Sequence, residues 1–231
     1  MLIDQNLSNF SDIAVQTAFV IYAIALFLSL AYYGRMQSVI DARRAAAADR
    51  AQSKQKVAAG GSPYAPGEDD AALADAAVAD TTPVKDPSVL EEKADKLGGM
   101  TQMLLWLGIV LHVVAIVLRG LATHRFPFGN LYEYVLMVTA GVLIVSNIAM
   151  QRKEWRTMWP WILTPILALM FYGSTKLYAE SAPVVPALQS HWLPIHVTVV
   201  SLGASISVVS GIASLLTMLR CLLYTSDAAD E

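Results

Sequence analysis

Apolar positions in this chain gather into five long runs, at about 13–33, 101–119, 131–150, 158–178 and 194–217. Each is close to the roughly 20 residues that carry a helix across a hydrocarbon layer about 30 Å thick. Lipid cannot satisfy backbone N–H and C=O groups, and the runs lack the period-two alternation of barrel strands. The pattern predicts an all-α integral membrane protein with about five transmembrane helices. The first run has Asp4 and Asp12 on its N-terminal side, no Lys or Arg there, and no small-residue cleavage site after it. It reads as a permanent anchor with its N-terminus outside, not as a cleaved signal peptide.

A polar segment, 34–97, separates the first two runs. Met36 to Ala59 is alanine-rich with interspersed charges and is expected to extend the first helix; Gly60-Gly-Ser-Pro-Tyr-Ala-Pro-Gly67 then breaks it. From there to about Pro87 large apolar residues are almost absent, so burial cannot offset ordering entropy. A flexible cytoplasmic linker is expected, with Ser88 to Lys96 as a short amphipathic lead into the second helix. The domain plan is an anchor at 1–33, a linker at 34–97, a membrane domain at 98–220 and a tail at 221–231.

Composition agrees: the chain is 55% hydrophobic with a mean hydropathy of +0.49. The net charge of −3 conceals a segregation of signs, since about half of the acids lie between Glu68 and Asp95. Arg35, Arg43, Arg44, Arg50, Lys54 and Lys56 follow the first run. Arg152, Lys153 and Arg156 separate the third and fourth, and Arg220 follows the fifth. The positive-inside rule puts these groups in the cytoplasm and loops 120–130 and 179–193 outside, with Arg119, Arg125 and Lys176 as the dissenting charges. There are no internal repeats, no phosphate loop and no dinucleotide fingerprint, and no nucleic-acid partner is expected.

Residues 221–231, Cys-Leu-Leu-Tyr-Thr-Ser-Asp-Ala-Ala-Asp-Glu, look like a translated transposase sequencing adapter. The expectation is a non-native tail on a C-terminally truncated chain. It contains the sole cysteine, Cys221, so no thiol chemistry is expected of the remainder.

Within the runs, Asn130-Leu-Tyr-Glu133 has the spacing of a capping box, with Asn130 as cap and Glu133 reaching back to the cap amide. That structural role is sufficient by itself; the functional one places Tyr132 and Glu133 in an outward-facing cavity. Trp155, Trp159 and Trp161 read as an interfacial belt, and Pro165 as a kink. Ser201, Gly203, Ala204, Ser205, Ser207, Ser210, Gly211 and Ser214 form a small-residue surface suited to close helix packing. His112 lies within the second run, where it either bonds a neighbouring helix or holds a ligand. His124 and His191 read as solvated. His196 differs, because it follows Trp192 and Pro194 at the mouth of a membrane helix, where an imidazole asks for a reason.

From about Leu105 to Arg220 the sequence resembles the CcsA/ResC family of System II cytochrome c biogenesis proteins, often labelled CcsB in actinobacteria. Two patches carry the likeness. His124-Arg-Phe-Pro-Phe-Gly-Asn-Leu-Tyr-Glu133 is similar to G-H-x-P-x-x-N-L-Y-E. Val185-Pro-Ala-Leu-Gln-Ser-His-Trp-Leu-Pro-Ile-His-Val197 is similar to P-A-L-Q-S-x-W-L-x-x-H-V. The resemblance implies that haem b is presented outside the bacterial cytoplasmic membrane to apocytochrome c, with a CcsB/ResB-like membrane partner. It makes the chain a component of a haem-attaching synthase complex, the fragment itself being expected to be inactive. It implies that His196 is an axial ligand to the haem iron, with Trp192, Tyr132 and Glu133 as pocket residues. The family's tryptophan-rich haem segment and second external histidine are expected beyond Arg220. Rival readings are a small-molecule transporter or permease, which would need ionisable or broken-helix features at the bilayer midplane where only His112 approaches, and a non-catalytic membrane scaffold.

Overall fold

A computed structural model describes residues 4–59, 87–180, 190 and 192–227. It contains five α-helices: α1 Gln5–Ala59, α2 Pro87–Thr123, α3 Leu131–Ala149, α4 Trp159–Lys176 and α5 Trp192–Asp227. A 3₁₀ turn, Lys153–Met158, leads into α4. Among the described residues there is no strand, and the chain is an all-α integral membrane protein. Four of the helices are long and apolar enough to cross a membrane, namely those at Gln5–Gln52, Val89–Thr123, Leu131–Ala149 and Trp192–Leu219. The fourth sequence run, now α4, falls short of that measure, being 18 residues long with two tryptophans and Pro160 in its first turn.

The helices run deeper into the segment 34–97 than the apolar runs do. Polar helix continues to Ala59 and resumes at Pro87, and the expected linker at 60–86 lies outside the described residues. The chain divides into two compact units, Met1–Ala31 with Leu97–Glu231, and Tyr32–Lys96. The second unit buries Tyr32, Val39 and Ala94 and carries a surface ion pair between Arg43 and Glu91. Lys96 and Glu92 add an exposed i,i+4 pair at 2.9 Å.

In the first unit the helices alternate in direction. Asp4 caps α1 by accepting from the N–H groups of Asn6 (3.1 Å) and Leu7 (3.3 Å), and its own N–H donates to the Ala122 carbonyl near the end of α2. α1 and α2 then pack side by side. The Ser11 hydroxyl donates to the Ala115 carbonyl at 2.7 Å, and Tyr22 lies flat over Gly108, where any Cβ would collide with its ring. His112 is wholly buried beside Tyr22, with the phenol 3.5 Å from Nδ1 and no partner for Nε2 among the described residues. At the other end of α2, Gln102 donates to Asn147 of α3 at 2.6 Å.

α4 lies against α3 and buries Trp159, Ile162, Leu163, Ile166 and Met170. Trp159 is 1% exposed, so it is core; only Trp155 and Trp161 remain uncovered as candidates for an interfacial belt. Helix α4 continues through Pro165.

The small-residue surface of α5 divides. Ser201 and Ser205 are buried, and Ser205 donates to Val138 of α3 at 3.3 Å as well as to its own Ser201 at 2.7 Å. Gly141 makes this approach possible, because a Cβ there would overlap the Ser205 hydroxyl. Gly203 and Gly211, expected to serve close packing against the missing helices or a partner, face open space within this chain. They sit on the other side of a helix that packs along one face only, and Val199, Leu202, Ile206 and Leu215 are likewise uncovered.

This contrast yields a stability test. Gly141→Leu should destabilise the chain by about 1–3 kcal/mol through overpacking against α5, whereas Gly203→Leu should stay within about 0.5 kcal/mol. Thermal unfolding of the purified variants in detergent measures both. Equal effects would show that α3 and α5 do not meet at Gly141.

Candidate functional site

The end of the first unit where α1 begins also holds the α2–α3 loop, the segment after α4 and the start of α5. Its centre is Arg119, 1% exposed and one turn before the end of α2. A guanidinium buried in an apolar helix needs anions and acceptors on every side. Its Nη1 donates to Asp12 Oδ1 of α1 at 2.9 Å, and its Nε to Glu133 Oε1 of α3 at 3.2 Å. Nη2 donates to the Ala179 carbonyl after α4. The cation also lies over the rings of Tyr132 (4.8 Å) and Tyr178 (5.9 Å), which meet edge to face at 5.4 Å. Tyr178 donates to the second oxygen of Asp12 at 2.6 Å. One side chain therefore joins three helices and the segment leaving a fourth.

Glu133 is fully occupied. Besides Arg119 it takes a two-pronged contact from Arg125, Nη1 to Oε2 at 2.8 Å and Nη2 to Oε1 at 3.2 Å. The expected capping box is present with one change. Asn130 accepts from the Glu133 N–H at 2.8 Å, but Glu133 reaches back to the Gly129 N–H at 2.7 Å, one residue before the cap. A Cβ at Gly129 would overlap the Arg125 guanidinium, so the glycine admits the arginine.

The α2–α3 loop starts with a tight stop. The N–H of Arg125 donates to the Gly120 carbonyl at 3.1 Å and that of His124 to Leu121 at 3.2 Å. This is a Schellman turn, and its left-handed position, where glycine is the usual occupant, holds His124 at φ 50°. The loop folds back over Gly120, where a Cβ would meet the Arg125 carbonyl at 3.1 Å. Beside it a groove of about 600 Å³ is lined by Ile116, Val117 and Leu121 of α2, by His124 to Phe128 of the loop, and by Met137 of α3 and Thr198 of α5.

The anticipated site residues do not share one cavity in this structure. Tyr132 and Glu133 belong to the buried ion-pair knot. Trp192 and His196 sit in the first turns of α5, uncovered by the rest of the chain, with Trp192 70% exposed. His196 lies about 140° round the helix from Ser201, which faces α3. Ser190 caps this helix, its hydroxyl accepting from the Trp192 N–H at 3.3 Å. His191 lies outside the described residues. His124, read from sequence as a solvated residue, is exposed and also lines the groove. No group of three or more His, Cys, Asp or Glu suited to a metal ion occurs among the described residues.

Sequence reasoning missed Arg119, Asp12 and Tyr178 as partners. The signal was present in Arg119, an ionisable residue inside an apolar run that also violated the charge rule.

The knot should resist dismantling. Glu133→Gln leaves the buried Arg119 guanidinium with Asp12 as its one carboxylate and removes the ion pair with Arg125, and should destabilise the fold by about 3–5 kcal/mol. Arg119→Met should cost a similar amount. Because the two act on the same contact, the double variant should lose clearly less than the sum in a thermal-unfolding cycle. Strict additivity would dissolve the proposed coupling.

Several known proteins with similar sequence match part of the chain. It is 36% identical over 92 residues to the cytochrome c biogenesis protein CcsA of Picosynechococcus sp., covering 37% of this chain and 26% of that protein. It is 32% identical over 102 residues to that of Guillardia theta, covering 42% and 34%. It is 33% identical over 95 residues to that of Marchantia polymorpha, covering 39% and 29%. The chain thus spans about a quarter to a third of the length of these relatives. No family model matches the chain. No solved structure matches it either. These partial matches at moderate identity support membership of the chain in the CcsA family of cytochrome c biogenesis proteins.

Proposed function

We propose that the chain serves cytochrome c biogenesis by holding haem b at the outer face of a bacterial cytoplasmic membrane for covalent attachment to apocytochrome c. Haem is the cargo, a CcsB/ResB-like membrane protein is the partner, and the chain acts as one component of the synthase complex. The observation that carries this reading is His196: an imidazole at the start of α5, left uncovered, at the same end of the unit as the α2–α3 loop. A neutral imidazole is an effective axial ligand to haem iron, and the polarity around it tunes the potential. Trp192, one turn earlier, offers an aromatic wall on the same uncovered stretch. Tyr132 and Glu133 contribute by holding α3 and its loop in place.

The orientation follows from charge. Arg35 to Lys56 and Arg152 to Arg156 flank the opposite ends of the spans, which the positive-inside rule assigns to the cytoplasm. Two of the three dissenting charges, Arg119 and Arg125, are neutralised by Asp12 and Glu133, which removes most of their objection.

Two measurements test the proposal. A topology reporter near Gly61 should report the cytoplasm, and one in the 179–190 loop the outside; the reverse would end the external-haem reading. In cells carrying the partner, His196→Gln should leave the membrane level of the protein unchanged while abolishing covalent haem on cytochrome c and altering the haem absorption spectrum. Glutamine keeps a hydrogen bond in similar volume but is a poor iron ligand. Normal maturation with an unchanged spectrum would reduce His196 to a packing residue.

A further inference from the structure

We propose that the turn between α3 and α4 holds the phosphate of an anionic phospholipid. The site lies at the end of the unit opposite Arg119, the end that the charge rule assigns to the cytoplasm, and does not depend on the haem reading. Buried donors without acceptors mark it. Among the described residues, Arg156 Nε and Trp159 Nε1 are buried and have no hydrogen-bond partner, and Trp159 as a whole is 1% exposed. A buried N–H left unpaired is costly, and native proteins keep few of them. Local geometry makes the two donors neighbours. Lys153–Met158 is a 3₁₀ helix, in which side chains three residues apart eclipse, and Trp159 continues the turn by donating its N–H to the Arg156 carbonyl. Lys153, Arg156 and Trp159 therefore share one side of the turn, and Arg152 and Trp155 share the next. Lys153 already has a contact of its own.

Two adjacent N–H donors, one of them on a guanidinium, match an anionic oxygen. The helix start adds to this. α4 is 18 residues long, and its N-cap, Met158, offers the first turn no side-chain acceptor. Helical side chains lean toward the helix N-terminus, so the indole of Trp159 lies over this start, where anions are stabilised. The segment 152–156 carries three bases and a single acid, Glu154. The surroundings favour a lipid as the source of the phosphate. Trp155 and Trp161 flank the donors in sequence and are 47% and 50% exposed, as tryptophans at headgroup level are. Arg152 is also exposed and brings a second guanidinium to the same turn. Basic pockets beside membrane helices on the cytoplasmic side are suited to anionic headgroups. A soluble anion would use the cations but not the two uncovered indoles.

The test uses the whole chain purified in detergent, with lipid adducts resolved by native mass spectrometry and thermal unfolding followed in parallel. Phosphatidylglycerol should bind saturably as one tight adduct and raise the Tm. Phosphatidylcholine, whose choline cancels the phosphate charge, should do neither. Arg156→Met keeps an apolar stem without the guanidinium and should weaken phosphatidylglycerol binding by about fivefold or more. Trp159→Phe keeps a buried ring without the N–H and should weaken it by about fivefold. Each variant's rise in Tm is taken from its own lipid-free value, so a loss of fold stability alone does not register. Arg35→Met removes the same charge from another exposed base and should leave the tight adduct unchanged. An equal loss in Arg35→Met would reveal diffuse attraction to charge and overturn the site. Equal binding of phosphatidylcholine would overturn it too, leaving only apolar and aromatic contact. If inorganic phosphate displaces the lipid and reproduces its rise in Tm, the ligand is a free anion and the lipid assignment falls. Unchanged binding in both Arg156→Met and Trp159→Phe would refute the two donors.

Discussion

A guanidinium one turn inside an apolar helix cannot remain unpaired, and Arg119 meets that requirement by collecting groups from most of the unit. Its anions come from α1 and α3, its carbonyl from the segment after α4, and its aromatic cover from Tyr132 and Tyr178. Taking one carboxylate away would strand a charge in low dielectric, which is far worse than losing a surface pair. The helices at this end are therefore bound by a mutual condition: none can move away without exposing the others' charge.

The loop between α2 and α3 inherits its shape from that knot. Arg125 can contact Glu133 only because Gly129 leaves space for it, and the chain returns closely over Gly120 of α2. The reversal at His124 follows from this closure, and the apolar groove is the space left between the folded-back loop, α2, α3 and α5. A balanced set of charges thus stands beside an apolar groove.

Helix α5 is held differently. It packs on α3 through Ser201 and Ser205, at a depth permitted by Gly141, and most of its circumference remains uncovered. Among the described residues no buried charge ties it down, and its attachment rests on close contact and the Ser205–Val138 hydrogen bond, as is usual where lipid removes any hydrophobic advantage of helix–helix contact. The histidine assigned to the cargo therefore stands on the element with the fewest internal constraints, while the residues around His124 stand on the most constrained.

Much of this architecture was legible in the residues alone. Runs of about 20 apolar residues can only be helices in lipid, so the helical class, the alternating path and the approximate ends followed from length and hydropathy. The cap at Asn130 was readable because its chemistry is local, spanning three residues. The motif patches pointed to the family before any coordinate did. Tertiary structure alone decided the pairings: that Arg119 meets Asp12 across more than a hundred residues of chain, that Trp159 is core while Trp155 and Trp161 are not, and that Gly141 rather than Gly203 marks the close contact. It also set His124 beside a groove and turned His196 away from the packed face of α5. The reason is physical. A span's hydropathy constrains its length and secondary structure, but lipid and protein interior are nearly equally apolar, so composition hardly records which side of a helix faces a neighbour. That choice is made only when the buried polar groups find one another.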